Sequence, residues 1–254
     1  MIDPEIKSFL EEKAAQYNNP IFIETDPIFV PHQFSVKEDI EIAGFLAASI
    51  AWGSRPTIIK NALGLIARMD NSPFDFVMNS TEDELETLNG FVHRTFNETD
   101  AKYFVKALRN IYQNHNGLEG IFSSSYVPGS IIPGIQKLQD VFFELPHPER
   151  TRKHIANPAK GSAAKRINMY LRWMVRNDKK GVDFGLWKNI PASVLSCPLD
   201  VHAGNVARKL GLLARKQDDI KAVDELDEKL RFMDTNDPVK FDFALFGLGI
   251  FEGF

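Results

Sequence analysis

The sequence predicts an all-α protein, and three observations carry that expectation. Apolar residues recur at helical spacing along nearly all of its 254 residues. Start signals, such as Ser-Val-Lys-Glu at residues 35–38 and Asp237-Pro238, stand just ahead of apolar runs. The regular alternation that builds a sheet is missing, and the two strand-like pieces, residues 21–23 and 193–195, are short and isolated.

Taken in order, residues 3–17 read as a polar amphipathic helix. Pro20, Pro27 and Pro31 then break the chain into an extended stretch. Ser35 and Glu38 suit a capping box, the hydroxyl accepting from the amide three residues on and the carboxylate reaching back. That box opens a strongly apolar helix to about Trp52. Gly53-Ser-Arg-Pro56 turns the chain, and Pro56 fits the first turn of a helix to about Met69. Further helices are predicted at 81–89, 100–114, 117–123, 134–145, 162–176, 202–211, 219–232 and 238–250. Asp237 is the natural N-cap of the last, with Pro238 at its first position. The most linker-like segment is residues 146–161, which has three prolines and many charges.

Composition narrows the function. Hydrophobic residues make up 44% and charged residues 25%, the balance of a soluble globular chain with a sizeable core. The single cysteine, Cys197, excludes a disulfide framework, a Cys-based zinc site and a Cys-ligated iron–sulfur cluster, and it suits a reducing cytoplasm. The six histidines are scattered without metal-ligand spacing, so neither a catalytic metal nor a cofactor is expected. The N-terminal residues lack the apolar run of a signal peptide, and the longest apolar stretch, residues 40–52, is too short to span a bilayer.

Net charge is −4, which by itself argues against a general nucleic-acid binder. The distribution says more. Residues 149–180 hold ten basic side chains against two acids, a local balance of +8 that leaves −12 elsewhere. A solvated helix face is the ordinary explanation of such a run, and a contact to a phosphate backbone is the functional one. Inside it lies Asn157-Pro-Ala-Lys-Gly-Ser-Ala-Ala-Lys165. Gly161 permits close backbone approach, Ser162 can cap the following helix, and exposed amides at a helix start bind phosphate oxygens.

This Gly-containing hairpin with a lysine at the start of a helix resembles the helix-hairpin-helix-GPD DNA glycosylase superfamily. The second half of that signature is matched by Pro198-Leu-Asp-Val-His-Ala-Gly-Asn-Val-Ala-Arg-Lys-Leu-Gly211, the most specific stretch in the chain. The helices at 40–52 and 56–69 are similar to the superfamily's early helices. The whole chain resembles an uncharacterised bacterial family allied to these enzymes, with the archaeal 8-oxoguanine DNA glycosylases as the nearest characterised relatives. Motif-level similarity covers about residues 157–211. The sequence departs from the common pattern in lacking Leu-Pro-Gly-Val-Gly and in the 35-residue step from Lys165 to Asp200, a longer gap that the archaeal group shares.

The resemblance implies two helical subdomains flanking a cleft, in one integrated unit over residues 1–254. It implies base excision from double-stranded DNA, with AP-lyase chemistry on an oxidised purine such as 8-oxoguanine, by a cytoplasmic monomer. Lys165 would be the nucleophile that forms a Schiff base, and Asp200 the carboxylate that stabilises the sugar cation. Arg166, the basic island and the helix N-terminus would favour a neutral Lys165 amine. Lys160 is a rival nucleophile and Asp183 a rival carboxylate. Lys160, Gly161, Ser162, Arg166 and His202 would bind DNA. A flipped base needs aromatic faces, for which Trp52, Trp173 and Phe243 are the first candidates, followed by Trp187, Phe246 and Phe251. Most of these rings would serve as core in any helical domain. Lys165 could equally be a plain phosphate-binding lysine, and Asp200 an N-cap of the next helix. Two other functions compete: a non-catalytic DNA- or RNA-binding helix-hairpin-helix protein, and an acidic scaffold for protein partners.

Overall fold

A computed structural model describes residues 3–254. Among them the chain forms twelve α-helices: α1 (Pro4–Tyr17), α2 (Ile21–Glu24), α3 (Lys37–Ser49), α4 (Arg55–Ala67), α5 (Pro73–Asn79), α6 (Glu98–Asn114), α7 (Gly117–Ser123), α8 (Ile132–Phe142), α9 (Lys165–Val175), α10 (Val201–Lys209), α11 (Ile220–Met233) and α12 (Phe241–Phe251). One two-stranded antiparallel hairpin, β1 (Val92–His93) and β2 (Phe96–Asn97), is the only sheet among the described residues. No described helix is long and apolar enough to cross a membrane.

The all-α expectation holds, and several boundaries move for local reasons. The strand-like residues 21–23 lie in α2, and residues 192–194 form a 3-10 turn. The expected capping box does not form: α3 starts one residue later than a Ser35 cap would place it, with Val36 as N-cap and no side-chain cap. Residues 84–88 are a 3-10 turn, preceded by α5, which the apolar pattern did not announce. A true capping box forms instead at Asn97 and Asp100, where side chain and backbone bond reciprocally at the start of α6.

Two compact units divide the chain. One combines the N-terminal segment through Phe22 with residues 126–135 and 156–254, and the other combines residues 23–125 with 136–155. The first has its core on α12, whose sequence FDFALFGLGIF is apolar nearly all round, as a central helix must be. Two glycines let neighbours approach it. A Cβ at Gly247 would stand 2.1 Å from the Tyr17 ring of α1, and one at Gly249 would stand 3.0 Å from His202 Cβ of α10. Close α10–α12 packing therefore holds the first turn of α10 in place.

The second unit is built on a cluster of phenylalanine rings packed edge-to-face and tilted. Phe45, Phe96, Phe104 and Phe142 are fully buried, with Phe104 and Phe142 centroids 4.7 Å apart at edge-to-face geometry. Part of the supposed linker belongs to this core. Thr151 and His154 are buried, with the Thr151 hydroxyl donating to Asp100 at 2.7 Å and His154 Nε2 standing 3.2 Å from the same carboxylate. Polar residues there satisfy a buried acid rather than solvate a tether.

Candidate functional site

The site in the first unit begins with Asp200. Leu195, Cys197 and Leu199 are buried in the core and fix the chain that leads into α10. Asp200 then caps that helix, Oδ1 accepting from the amides of His202 and Ala203, each at 2.9 Å. The capping role leaves the second oxygen for an ion pair, with Oδ2 3.0 Å from Lys165 Nζ. Two amides and an ammonium thus hold one carboxylate in a single direction.

Lys165 is the first residue of α9. The 3-10 turn before it, Pro158–Lys160, is set by Asn157, whose side chain accepts from the Lys160 amide, and by Gly161 at φ 91°, a backbone conformation that favours glycine. Ser162 is not the N-cap. Its hydroxyl accepts from the Ala164 amide, and the buried Ala164 caps the helix in a left-handed conformation at φ 50°. An alanine there costs about 1 kcal/mol, so the surrounding bonds must hold it. The Asn168 amide donates to the Ala163 carbonyl at 3.1 Å, and the Ile220 amide of α11 to the Gly161 carbonyl, also at 3.1 Å.

The face of α9 that carries Lys165 continues with Arg172 and Arg176, spaced seven and four residues apart so that all three align. Arg172 is buried between Asp183, at 3.2 Å, and Asp242, which it also hydrogen-bonds. Arg176 is buried among Asp183 at 3.1 Å, Asp178 at 2.9 Å and Asp237 at 3.0 Å. Burial pushes Asp242 up to about 6, with Asp200 nearby adding to that while Arg172 and Lys165 oppose it. Asp227 of α11, also raised to about 6 by burial, accepts from the Cys197 amide at 2.9 Å. Burial and the Asp242 and Asp227 charges push the Cys197 thiol well up, so it is an unreactive neighbour.

The expected residues separate into three groups. Lys165 and Asp200 come together, with side chains 33% and 14% exposed, so the pair is reachable from solvent. Lys160, Gly161 and Ser162 are exposed on the turn that leads into α9, and His202 is exposed on the first turn of α10. Arg166 is half-buried, and desolvation brings it down to about 10. Trp173 and Phe243 do not line an open pocket. Both are fully buried, and Phe243 lies against the guanidinium of Arg172 at 4.2 Å and the edge of Phe22 at 5.3 Å. Trp187 is likewise fully buried and packs edge-on against Tyr170. Trp52 lies in the second unit, half-buried, stacked 5.9 Å from the His154 ring and edge-on to His93.

Two further expectations change. The rival carboxylate Asp183 is committed to two buried arginines. The basic island is not one exposed surface, because Arg172 and Arg176 are internal, Arg150 pairs with buried Asp100 at 2.9 Å, and Arg152 pairs with Glu149. Sequence reasoning passed over Asp242. Its signal was present: a lone carboxylate inside the most apolar run of the chain must be buried, and a buried charge demands a partner.

A family model described as "Protein of unknown function (DUF2400)" matches residues 26–251, and the chain belongs to that family. No curated protein and no solved structure matches the chain.

Proposed function

We propose that this DUF2400 protein is a DNA base-excision glycosylase with AP-lyase activity on an oxidised purine such as 8-oxoguanine, of the helix-hairpin-helix type. One observation carries the reading: an amine and a carboxylate from segments 35 residues apart meet at 3.0 Å, partly exposed, each at the start of a helix. Breaking an N-glycosidic bond leaves positive charge on the sugar, and the Asp200 carboxylate, already aimed by two amides, stabilises it. Lys165, after giving up a proton, bonds C1′ as the bond to the base breaks and the departing base takes a proton. The C1′–O4′ bond of the sugar then opens, O4′ taking a proton and the lysine nitrogen losing one, which gives the imine; the imine acidifies the neighbouring C2′ proton, and its loss expels the 3′ phosphate by β-elimination. Lys160, the Gly161–Ser162 backbone and Arg166 would hold the phosphate backbone, and His202 would support the site.

The same ion pair also suits a non-catalytic DNA- or RNA-binding protein, because a lysine held as an ammonium is a point charge for phosphate. One assay separates the two. The protein is incubated with duplexes carrying 8-oxoguanine, uracil or an abasic site, and borohydride is added. The enzyme reading predicts a covalent adduct that Lys165→Gln abolishes. Tight DNA binding without an adduct on any duplex would support the binding protein, and no binding at low salt would end both readings.

A further inference from the structure

We infer that the tip of the β1–β2 hairpin, with Arg94 as its cation and Trp52 as its aromatic face, is a contact surface for a nucleic-acid strand, Arg94 taking a phosphate and Trp52 a base. The surface lies wholly in the second unit and stands without the reading of Lys165. It starts from a broken local rule. Arg94 and Thr95 turn the hairpin between the paired His93 and Phe96. Two-residue turns of this kind favour glycine or asparagine, because their backbone is left-handed. Arg94 stands in that region at φ 54°, where so large a side chain is strained. Strained residues persist where the surrounding structure over-determines them, and they cluster at binding surfaces. Arg94 is exposed and takes part in no hydrogen bond or ion pair among the described residues, so no internal partner accounts for it.

The second unit builds a seat for this guanidinium. Gly53, at φ 115°, follows Trp52, and the Arg94 guanidinium lies against it: a Cβ at Gly53 would stand 2.9 Å from Nε and 3.1 Å from Nη2. Glycine alone permits both that backbone and that approach. Trp52 is held as firmly. His154 stacks on its ring at 5.9 Å, His93 meets it edge-on at 5.2 Å, and His93 Nε2 lies 3.2 Å from the Trp52 carbonyl oxygen. Arg150 anchors the turn, donating to the Thr95 carbonyl at 2.9 Å and pairing with buried Asp100. Trp173 and Trp187 have no exposed surface, so Trp52 is the tryptophan that solvent reaches. No acidic side chain stands in the first turn of α4, which begins two residues after Gly53. A cation without a counter-charge beside an accessible indole answers the repeat of a nucleic-acid strand, in which every anionic phosphate comes with a planar base. An acidic peptide would satisfy the guanidinium but bring no ring to the indole.

The test uses the intact chain and undamaged strands. Fluorescein-labelled oligothymidylate and oligouridylate, each about a dozen nucleotides long, are titrated by anisotropy over a salt series. Arg94→Asn is the main variant, because asparagine tolerates the left-handed turn and so keeps the fold. It should weaken binding about tenfold at low salt and reduce the slope of log affinity against log salt by about 0.7, the share of one phosphate on a single strand. Trp52→Ala should weaken binding by about fivefold to a hundredfold and leave the slope unchanged, because stacking releases no counterions. A merely structural role would not divide the two effects in this way. The strand bound more tightly names the source, DNA or RNA. Equal affinity and equal slope in wild type and Arg94→Asn would overturn the inference, as would the absence of binding to either strand at low salt. Should Trp52→Ala fail to fold, the wild-type emission decides. With the other two tryptophans buried, a saturating strand should quench emission through Trp52, and unchanged emission would overturn the inference. The strands carry no lesion. Weakened binding in Arg94→Asn without a borohydride adduct would therefore keep this surface and remove the enzyme reading, and an adduct with identical slopes would do the reverse.

Discussion

The first turn of α9 and its remaining two turns both set cations against carboxylates, yet they differ in what surrounds them. Arg172 and Arg176 are 3% exposed and meet Asp178, Asp183, Asp237 and Asp242 inside the protein. Lys165 meets a single carboxylate at the surface end of the same helix face. Arginine suits the interior because its planar fork answers several carboxylates at once and keeps its proton. Lysine suits the exposed end because a single ammonium can be released from one partner. One helix face thus holds a structural charge network and, one rung further out, a pair with chemistry to spare.

The contrast breaks first at Arg176. Replacing it with Met removes the cation shared by Asp178, Asp183 and Asp237 and leaves Asp183 to Arg172 alone, which costs about 3–5 kcal/mol and lowers the melting temperature by about 10 °C in a domain of this size. Calorimetry of Arg176→Met checks this. A loss no larger than that of a surface substitution would place the network among ordinary exposed ion pairs.

At the exposed end the cap outweighs the ion pair. Asp200→Ala removes the acceptor for two α10 amides and should cost about 1 kcal/mol. Asp200→Asn keeps a capping oxygen and should cost much less, while still abolishing adduct formation on the proposed reading. Chemical denaturation of both variants, run beside the trapping assay, separates capping from chemistry. Lys165→Gln should change stability by well under 1 kcal/mol, because solvent screens a pair this exposed.

The smallest effect is a slope with pH. Asp227 and Asp242 titrate near 6 in the folded protein, above the range of an exposed Asp. The folded chain therefore holds more protons than the unfolded one between about pH 4 and 6, and these two groups make it less stable as pH rises through that window. Asp100 works the other way. Burial tends to raise it, but bonds from His154, Thr151 and the Asn97 amide prevail and hold it low, so its contribution is lost only in stronger acid. Melting temperatures of wild type and Asp242→Asn across this window should converge or cross as pH rises, because the variant lacks one descending contribution. Parallel curves would show that Asp242 is not titrating there.

The sequence made the helical class legible because apolar periodicity is a local property. The Asp200 cap was equally plain, since Pro-Leu-Asp before a helical run reports its own geometry. Side-chain partners of distant origin were not legible. The charge run at 149–180 looked like one surface because sequence shows sign and spacing but not burial, and three of its arginines, Arg150, Arg172 and Arg176, meet acids from other segments. The same blindness placed Trp173 and Phe243 at a pocket when both pack inside. Helix α5 lay hidden because seven residues opened by a proline carry too little periodicity. Meeting of Lys165 with Asp200 was foreseeable only through the resemblance of both motifs to one superfamily.

The most direct test of the central claim is to locate the covalent bond. Wild-type protein is trapped with borohydride on abasic-site DNA, digested, and the nucleotide-bearing peptide sequenced by mass spectrometry. The account predicts a single adduct on Lys165, absent in Lys165→Gln. An adduct on Lys160, or one that survives Lys165→Gln, would contradict it.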